Sequence, residues 1–259
     1  MMIHQIYTDN QLRNFTYIIE TANKHAFVID PWDAEQINVF LSMHKLKLKV
    51  IINTHEHWDH TKGNKDLVGK HACEVWAHAR GEGIIPCLSR SLRDKDKTQL
   101  DENTFLEVID APGHCQAHLC FMIYHNNKVD SIFTGDILFN AGVGNCHNGG
   151  DVNDLYETIT SKISTLSDEI KIYPGHEYLE NNLKFTIDRE PSNKQAVKWL
   201  EKYYQADIHS IPLVTTIADE KQINTFLRLD KDEIIKNLKS KPKNNKEVFI
   251  SLRALRDKW

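Results

Sequence analysis

Cysteine is scarce in this chain and scattered. The 259 residues hold five, Cys73, Cys87, Cys115, Cys120 and Cys146, and no two form a CxxC pair. An odd, dispersed set argues against a disulfide framework and fits reduced thiols in a cytoplasm. Long apolar runs are missing too. No segment approaches the ~20 apolar residues that a membrane span needs, so no membrane association is expected. The opening residues "MMIHQIYTDN" lack the apolar core and cleavage site of a signal peptide. Positive charge is not in excess. The formal net charge is −4, and the one basic tract, "KPKNNK", reads as a short solvated turn, so no nucleic-acid partner is expected. Neither a GxSxG nor a Ser-His-Asp pattern offers a nucleophile. The rest is ordinary for a globular protein, with 41% apolar and 26% charged residues. The length suits one large domain, or a larger and a smaller one.

Along the first two thirds, strand-like and helix-like segments alternate. "FTYIIE" and "HAFVID" read as a hairpin turned at "TANK", "AEQINVFLSMHKL" has helical spacing, and "KVIIN" and "CEVWAH" are strands. "TFLEVIDAPGH", "LCFMIYHNNKVDSIFTGD" and "IKIYPGH" continue the β pattern, with "HNNK" as a hairpin turn. "DVNDLYETITSKISTL" reads as a helix capped by Asp151 or Asn153. After about Tyr178 the texture turns helical, in "NNLKFTIDRE", "SNKQAVKWLEKYYQ", "DKDEIIKNLK" and "NKEVFISLRALRDKW", punctuated by Pro191, Pro212 and Pro242. The expected organisation is a mixed α/β domain over residues 1–178 and a small all-α domain over 179–259.

Chemistry collects where the strands stop. "KVIIN" runs into "THEHWDH", "FLEVI" into "DAPGH" with His114, "SIF" into "TGD" with Asp136, and "IKIY" into "PGH" with His176. In an α/β layer, functional groups gather where strands give way to loops. Gly113, Gly135 and Gly175 each precede a ligand, where glycine permits a sharp exit. Residues i and i+2 of extended backbone point the same way, so His55 and His57 can chelate one ion together. Asp59 and His60 follow a turn and can face a neighbouring ion. The inventory is His55, His57, Asp59, His60, His114, Asp136 and His176. Five imidazoles and two carboxylates suit zinc, or iron or manganese. They are too many for one tetrahedral ion and about right for two, which Asp136 could bridge. Lone histidines such as His4, His44 and His209 read as structural. Trp58 reads as packing, Cys115 as a small packed thiol, and His118 as either core or a support to the ligands.

These motifs resemble the metallo-β-lactamase superfamily, whose HxHxDH signature stands here as "HEHWDH". Within it, "INTHEHWDHTKGN", "GHEYLENNLKF" and "TFLR" are similar to glyoxalase II, the hydroxyacylglutathione hydrolases, and the resemblance spans essentially the whole chain. It implies an αββα sandwich followed by a small all-α C-terminal domain. It also implies two divalent metal ions, zinc foremost. His55, His57 and His114 would hold the first, Asp59, His60 and His176 the second, and Asp136 would bridge. Asp59 and Asp136 would then carry the catalytic role, fixing and tuning the metals.

The implied activity is hydrolysis of a small-molecule S-(2-hydroxyacyl)glutathione thioester by a monomer or small homo-oligomer. Glutathione contacts would come from Tyr178, Arg256 and Lys258. Two features depart from the family's pattern. Its lysine stands three residues after its arginine, whereas Lys258 follows Arg256 by two. Where it has a cation and an aromatic after "TGDILF", this chain has Asn145 and His147. Thiol recognition is therefore expected to rest on the helical domain. The rivals are a persulfide dioxygenase with one iron, a lactonase or other hydrolase of the same fold, and a non-catalytic binding protein. The complete ligand set favours the two-metal hydrolase.

Overall fold

β-branched and aromatic residues dominate the first strands, and the strands form where that texture predicts. The computed structural model describes all 259 residues. By contacts the chain divides into two compact units, one of residues 1–111 and 117–135, the other of 112–116 and 136–259. Position 178 falls inside the second unit.

The first unit runs β1 (Met2–Tyr7), β2 (Phe15–Glu20), β3 (His25–Ile29), α1 (Ala34–His44), β4 (Lys47–Ile52), α2 (Trp58–Thr61), α3 (Asn64–His71), β5 (Glu74–His78), β6 (Arg90–Leu92), β7 (Lys97–Asp101), β8 (Thr104–Asp110), β9 (Leu119–His125) and β10 (Lys128–Gly135). Strands β1 to β6 form one sheet in chain order, antiparallel as far as β3 and parallel beyond it. Strands β7 to β10 pair antiparallel in a second layer. The expected β9–β10 hairpin turns at Asn126 and Asn127, with φ of 51° and 61°, the double left-handed turn that asparagine tolerates. Helices α1 and α3 cover one face of the first sheet through Ile37, Leu41 and Leu67 against Val28, Ile51 and Val75. The other face meets the second layer, where Tyr17 packs edge-on to Phe133 at 5.0 Å. Strands covered on both sides read as continuous apolar runs, as β2 does with five buried residues in succession.

The second unit runs β11 (Leu138–Phe139), β12 (Gly142–Val143), α4 (Val152–Glu157), a π-helical turn over 158–163, β13 (Lys171–Pro174), α5 (Leu179–Arg189), α6 (Lys194–Gln205), β14 (Thr215–Thr216), α7 (Ile217–Ile223), α8 (Asp232–Lys236) and α9 (Asn245–Arg256). Asp151 caps α4, accepting from the backbone of Asn153 and Asp154. Helices α5, α6 and α7 meet over Leu183, Ala196 and Ile223. Helix α7 is not evident in the apolar periodicity. Its signal is the reciprocal cap between Thr216 and Asp219.

One carboxylate of α7 lies fully inside this unit. Glu220 accepts from the backbone of Ala141 (2.9 and 3.1 Å), Thr215 Oγ1 (2.8 Å) and Asn224 Nδ2 (2.8 Å). Burial outweighs these donors and pushes its pKa up from 4.5 to about 7. The folded protein then holds this proton more tightly than the unfolded chain. Glu220 therefore contributes stability that is full below about pH 4.5 and lost as pH rises through about 7, roughly 3 kcal/mol in all. Urea titrations of wild type and Glu220→Gln between pH 4.5 and 8 should diverge by about that amount. Parallel curves would show that Glu220 does not titrate in this window.

Candidate metal centre

Strand β4 delivers four ligand candidates in the first unit. Beyond Ile52, the Asn53 side chain donates to the His60 carbonyl (2.8 Å) and Leu119 N–H to the Thr54 carbonyl (2.7 Å), which fixes the loop. His57 caps α2 in extended backbone, and Asp59 and His60 lie on its first turn. A residue not singled out from sequence organises them. Asp30, just past β3, accepts from Thr54 N–H (2.8 Å), Thr54 Oγ1 (2.6 Å) and His60 Nδ1 (2.9 Å). Thr54 spends its proton on Asp30, so its oxygen accepts from His55 Nδ1 at 3.0 Å. Both imidazoles are thereby left with Nε2 as a lone-pair donor, the arrangement by which second partners orient metal-ligating histidines. His55 Nε2 lies 3.0 Å from His57 Nδ1, and His60 Nε2 lies 3.3 Å from Asp59 Oδ2. Asn14 Nδ2 donates to that same Asp59 oxygen at 2.9 Å.

The second unit holds the other three candidates. His114 donates Nδ1–H to the Asn145 carbonyl at 2.7 Å, which again leaves Nε2 as the lone-pair nitrogen. That Nε2 and His176 Nε2 converge on one oxygen of Asp136, Oδ2, at 3.4 and 3.2 Å. His176 stacks flat on Tyr178, with centroids 5.1 Å apart and planes within 2°. Two glycines are sterically required nearby. Gly135 has φ of 47° and a Cβ there would lie 2.7 Å from Thr54 Oγ1, while a Cβ on Gly144 would lie 1.9 Å from the Asp136 carbonyl oxygen.

These spacings fit metal binding. Two ligand atoms about 2.0–2.1 Å from one tetrahedral ion lie roughly 3.3–3.4 Å apart, and the paired donors stand 3.0–3.4 Å apart. Lone pairs facing each other at that range repel unless a proton or a cation lies between them. Elsewhere Trp58 is 62% exposed and leans on Trp32 at 5.2 Å, so it is not core packing. His118 is fully buried and stacks on His55 at 5.0 Å, a placement that suits both core and support to a candidate ligand. Cys115 is buried, as expected.

A cavity of about 270 Å³ in the second unit is lined by Phe139, Asn145, Tyr178, Asn182, Arg253 and Arg256, among others. Two of the three expected glutathione contacts, Tyr178 and Arg256, thus come together with Asn145, one of the two positions that depart from the family's pattern. Lys258 lines a separate depression beside Leu238 and Leu255. His147 is largely exposed and pairs with Asp257 at 3.3 Å. Arg253 enters unannounced. It precedes Arg256 by three residues, so both lie on one face of α9. Burial lowers the pKa of both guanidinium groups from their usual range.

Layered mixed sheets whose strands end in histidine and aspartate define a protein of the metallo-β-lactamase superfamily. Residues 10–176 match the family model of that description, and residues 177–259 match the one described as hydroxyacylglutathione hydrolase C-terminus. The hydroxyacylglutathione hydrolase of Nitrosococcus oceani is 41% identical over 266 residues, and that of a Polaromonas species 38%, each alignment covering 100% of both chains. Among solved structures, ETHE1 from Myxococcus xanthus superposes with a TM-score of 0.67 at 25% identity, over 99% of this chain and 98% of that one. The chain belongs to the hydroxyacylglutathione hydrolase family. No helix is long and apolar enough to cross a membrane.

Proposed function

We propose that this chain hydrolyses S-(2-hydroxyacyl)glutathione thioesters, S-lactoylglutathione among them, to a 2-hydroxy acid and glutathione. The observation that carries the reading is a complete donor set in a chain similar over its whole length to hydroxyacylglutathione hydrolases. The proposed centre holds two divalent ions, zinc foremost, with iron or manganese able to substitute. His55, His57 and His114 would hold one ion, Asp59, His60 and His176 the other, and Asp136 would be shared between them. Residues 1–178 form the proposed catalytic domain and 179–259 the substrate-binding one. Five free cysteines support a reducing cytoplasm as the compartment, and the chain works as a monomer or small homo-oligomer.

When bound, divalent ions supply Lewis acidity that lowers the pKa of water and polarises a carbonyl. The chain's own residues do the rest. Asp30, Thr54 and the Asn145 carbonyl hold His55, His60 and His114 in the ligating tautomer. Asp59 and Asp136 contribute the negative charge that keeps the cations in place. Water-derived hydroxide adds to the thioester carbon, the C–S bond breaks, and the sulfur leaves as thiolate. A thiol pKa of roughly 8.5 makes that departure easy without a protonated side chain, which accounts for the lack of a separate general acid.

Arg256 is the proposed cation for a glutathione carboxylate. Its Nε and Nη2 donate to Asn182 Oδ1 at 3.3 and 3.1 Å, so Nη1 keeps two N–H groups for a ligand. A charge-assisted contact remote from the scissile bond binds ground and transition states alike. Arg256→Ala should raise KM for a glutathione thioester about tenfold or more and change kcat little. Lys258→Ala should leave KM within twofold, and a small uncharged thioester should respond to neither change. An unchanged KM in Arg256→Ala would remove this contact. For the function as a whole, S-lactoylglutathione is assayed beside other thioesters with metals counted on the same sample. A sample holding two ions that leaves every glutathione thioester intact would sink the reading. Oxygen consumption with a persulfide and one iron per chain would replace it.

A further inference from the structure

The segment from Asn140 to Asn145 follows β11, runs through β12, and lines the cavity with Val143 and Asn145. Its backbone is gripped almost residue by residue by side chains of later helices. Asn182 Nδ2 donates to the Asn140 carbonyl (2.9 Å), Glu220 accepts from Ala141 N–H (2.9 Å), and Asn224 Nδ2 donates to the Gly142 carbonyl (3.1 Å). Arg253 Nη1 then takes the next two carbonyls, Val143 at 2.7 Å and Gly144 at 3.1 Å. The carbonyl after those, on Asn145, is the one that accepts from His114 Nδ1. Ala141 has φ of 58°, a left-handed conformation that alanine adopts only when its surroundings impose it.

We propose that Arg253 is a positioning residue for the metal centre: it fixes the Val143–Asn145 backbone and, through the Asn145 carbonyl, the ring of His114. The inference rests on the proposed role of His114 as a metal ligand. The allocation of N–H groups supports it. Asp257 Oδ1 receives Arg253 Nε (3.2 Å) and Nη2 (3.0 Å), which locks the guanidinium plane. Both Nη1 hydrogens go to the two carbonyls, so four of five N–H groups are committed to the protein. Arg253 is also only 7% exposed. Arg253 lines the same cavity as Arg256, but most of its N–H groups go to the scaffold. Lysine could not replace Arg253, because a single ammonium cannot fork to two carbonyls and a carboxylate in one plane.

The test uses the zinc-loaded enzyme and needs no substrate. Zinc release to a chelating dye is followed for wild type, Arg253→Lys and Arg256→Ala. Loss of a partner that orients a metal ligand weakens binding about 10–100-fold, so Arg253→Lys should release one ion that much more readily. Arg256→Ala should hold both ions like the wild type. The His114 Nδ1–H proton, followed by NMR, should exchange with solvent faster in Arg253→Lys only. Should that variant fail to fold, Asp257→Asn frees the guanidinium plane and should shift both readouts the same way. Wild-type zinc retention and His114 exchange in a folded variant would overturn the proposal. Because no thioester is used, failure of the glutathione reading would appear separately, in the activity assay.

Discussion

Asp136→Asn should fold normally and turn over on the order of 10²-fold or more slowly. The carboxylate is 6% exposed, and its Oδ2 faces two imidazole nitrogens at 3.4 and 3.2 Å. The amide keeps the shape and removes the charge. It also offers an NH₂ group that satisfies the His114 and His176 lone pairs without a cation, so the metal-free state gains what the loaded state loses. Removing one placed electrostatic element from an active site costs about 10²–10³ in kcat. Metal content and turnover should therefore fall together, while the urea midpoint of the metal-free protein holds or rises. Near-normal turnover with two ions retained would take Asp136 out of the mechanism.

Asp30→Ala has the largest expected effect away from the ligands. It strands three buried donors at once, Thr54 N–H, Thr54 Oγ1 and His60 Nδ1. It also puts alanine at a φ of 51°, which aspartate tolerates better. Breaking a buried charged network by removing one partner costs about 3–5 kcal/mol. The tautomers of His55 and His60 are released as well, so metal affinity should drop a further 10–100-fold. Denaturant unfolding of metal-free protein and chelator competition on loaded protein separate the two effects. A stability loss below about 1 kcal/mol would show that Asp30 is not the organiser argued here.

Most of the candidate donor set was legible because one rule exposes it: an apolar strand, a short turn, then a side chain able to coordinate. The same rule applies to Asp30, which ends "HAFVID", but a lone carboxylate there lacks the histidine company that drew notice to the others. Which nitrogen each imidazole presents was not legible. His55 and His60 present Nε2, and that choice is set by Thr54 and Asp30 acting across the loop. The cation facing the cavity was a matter of helix phase. Arg253 and Arg256 share a face of α9, whereas Lys258 lies beyond its last turn. Helix α7 was hidden because its seven residues carry too short an apolar stripe to show a period, although its cap was written in the sequence.

The grip on residues 140–145 falls almost entirely on main-chain atoms, which every amino acid supplies. The Asn145 carbonyl that accepts from His114 is one of these atoms, so it survives a change of the Asn145 side chain. Substitutions at Asn145, which lines the cavity, can alter what it admits while the His114 hydrogen bond persists. Selection for a new thiol or acyl group can thus act on this lining one position at a time, with little risk to the metal scaffold. A saturation library at position 145 should yield mostly folded, metal-loaded variants that differ in substrate preference.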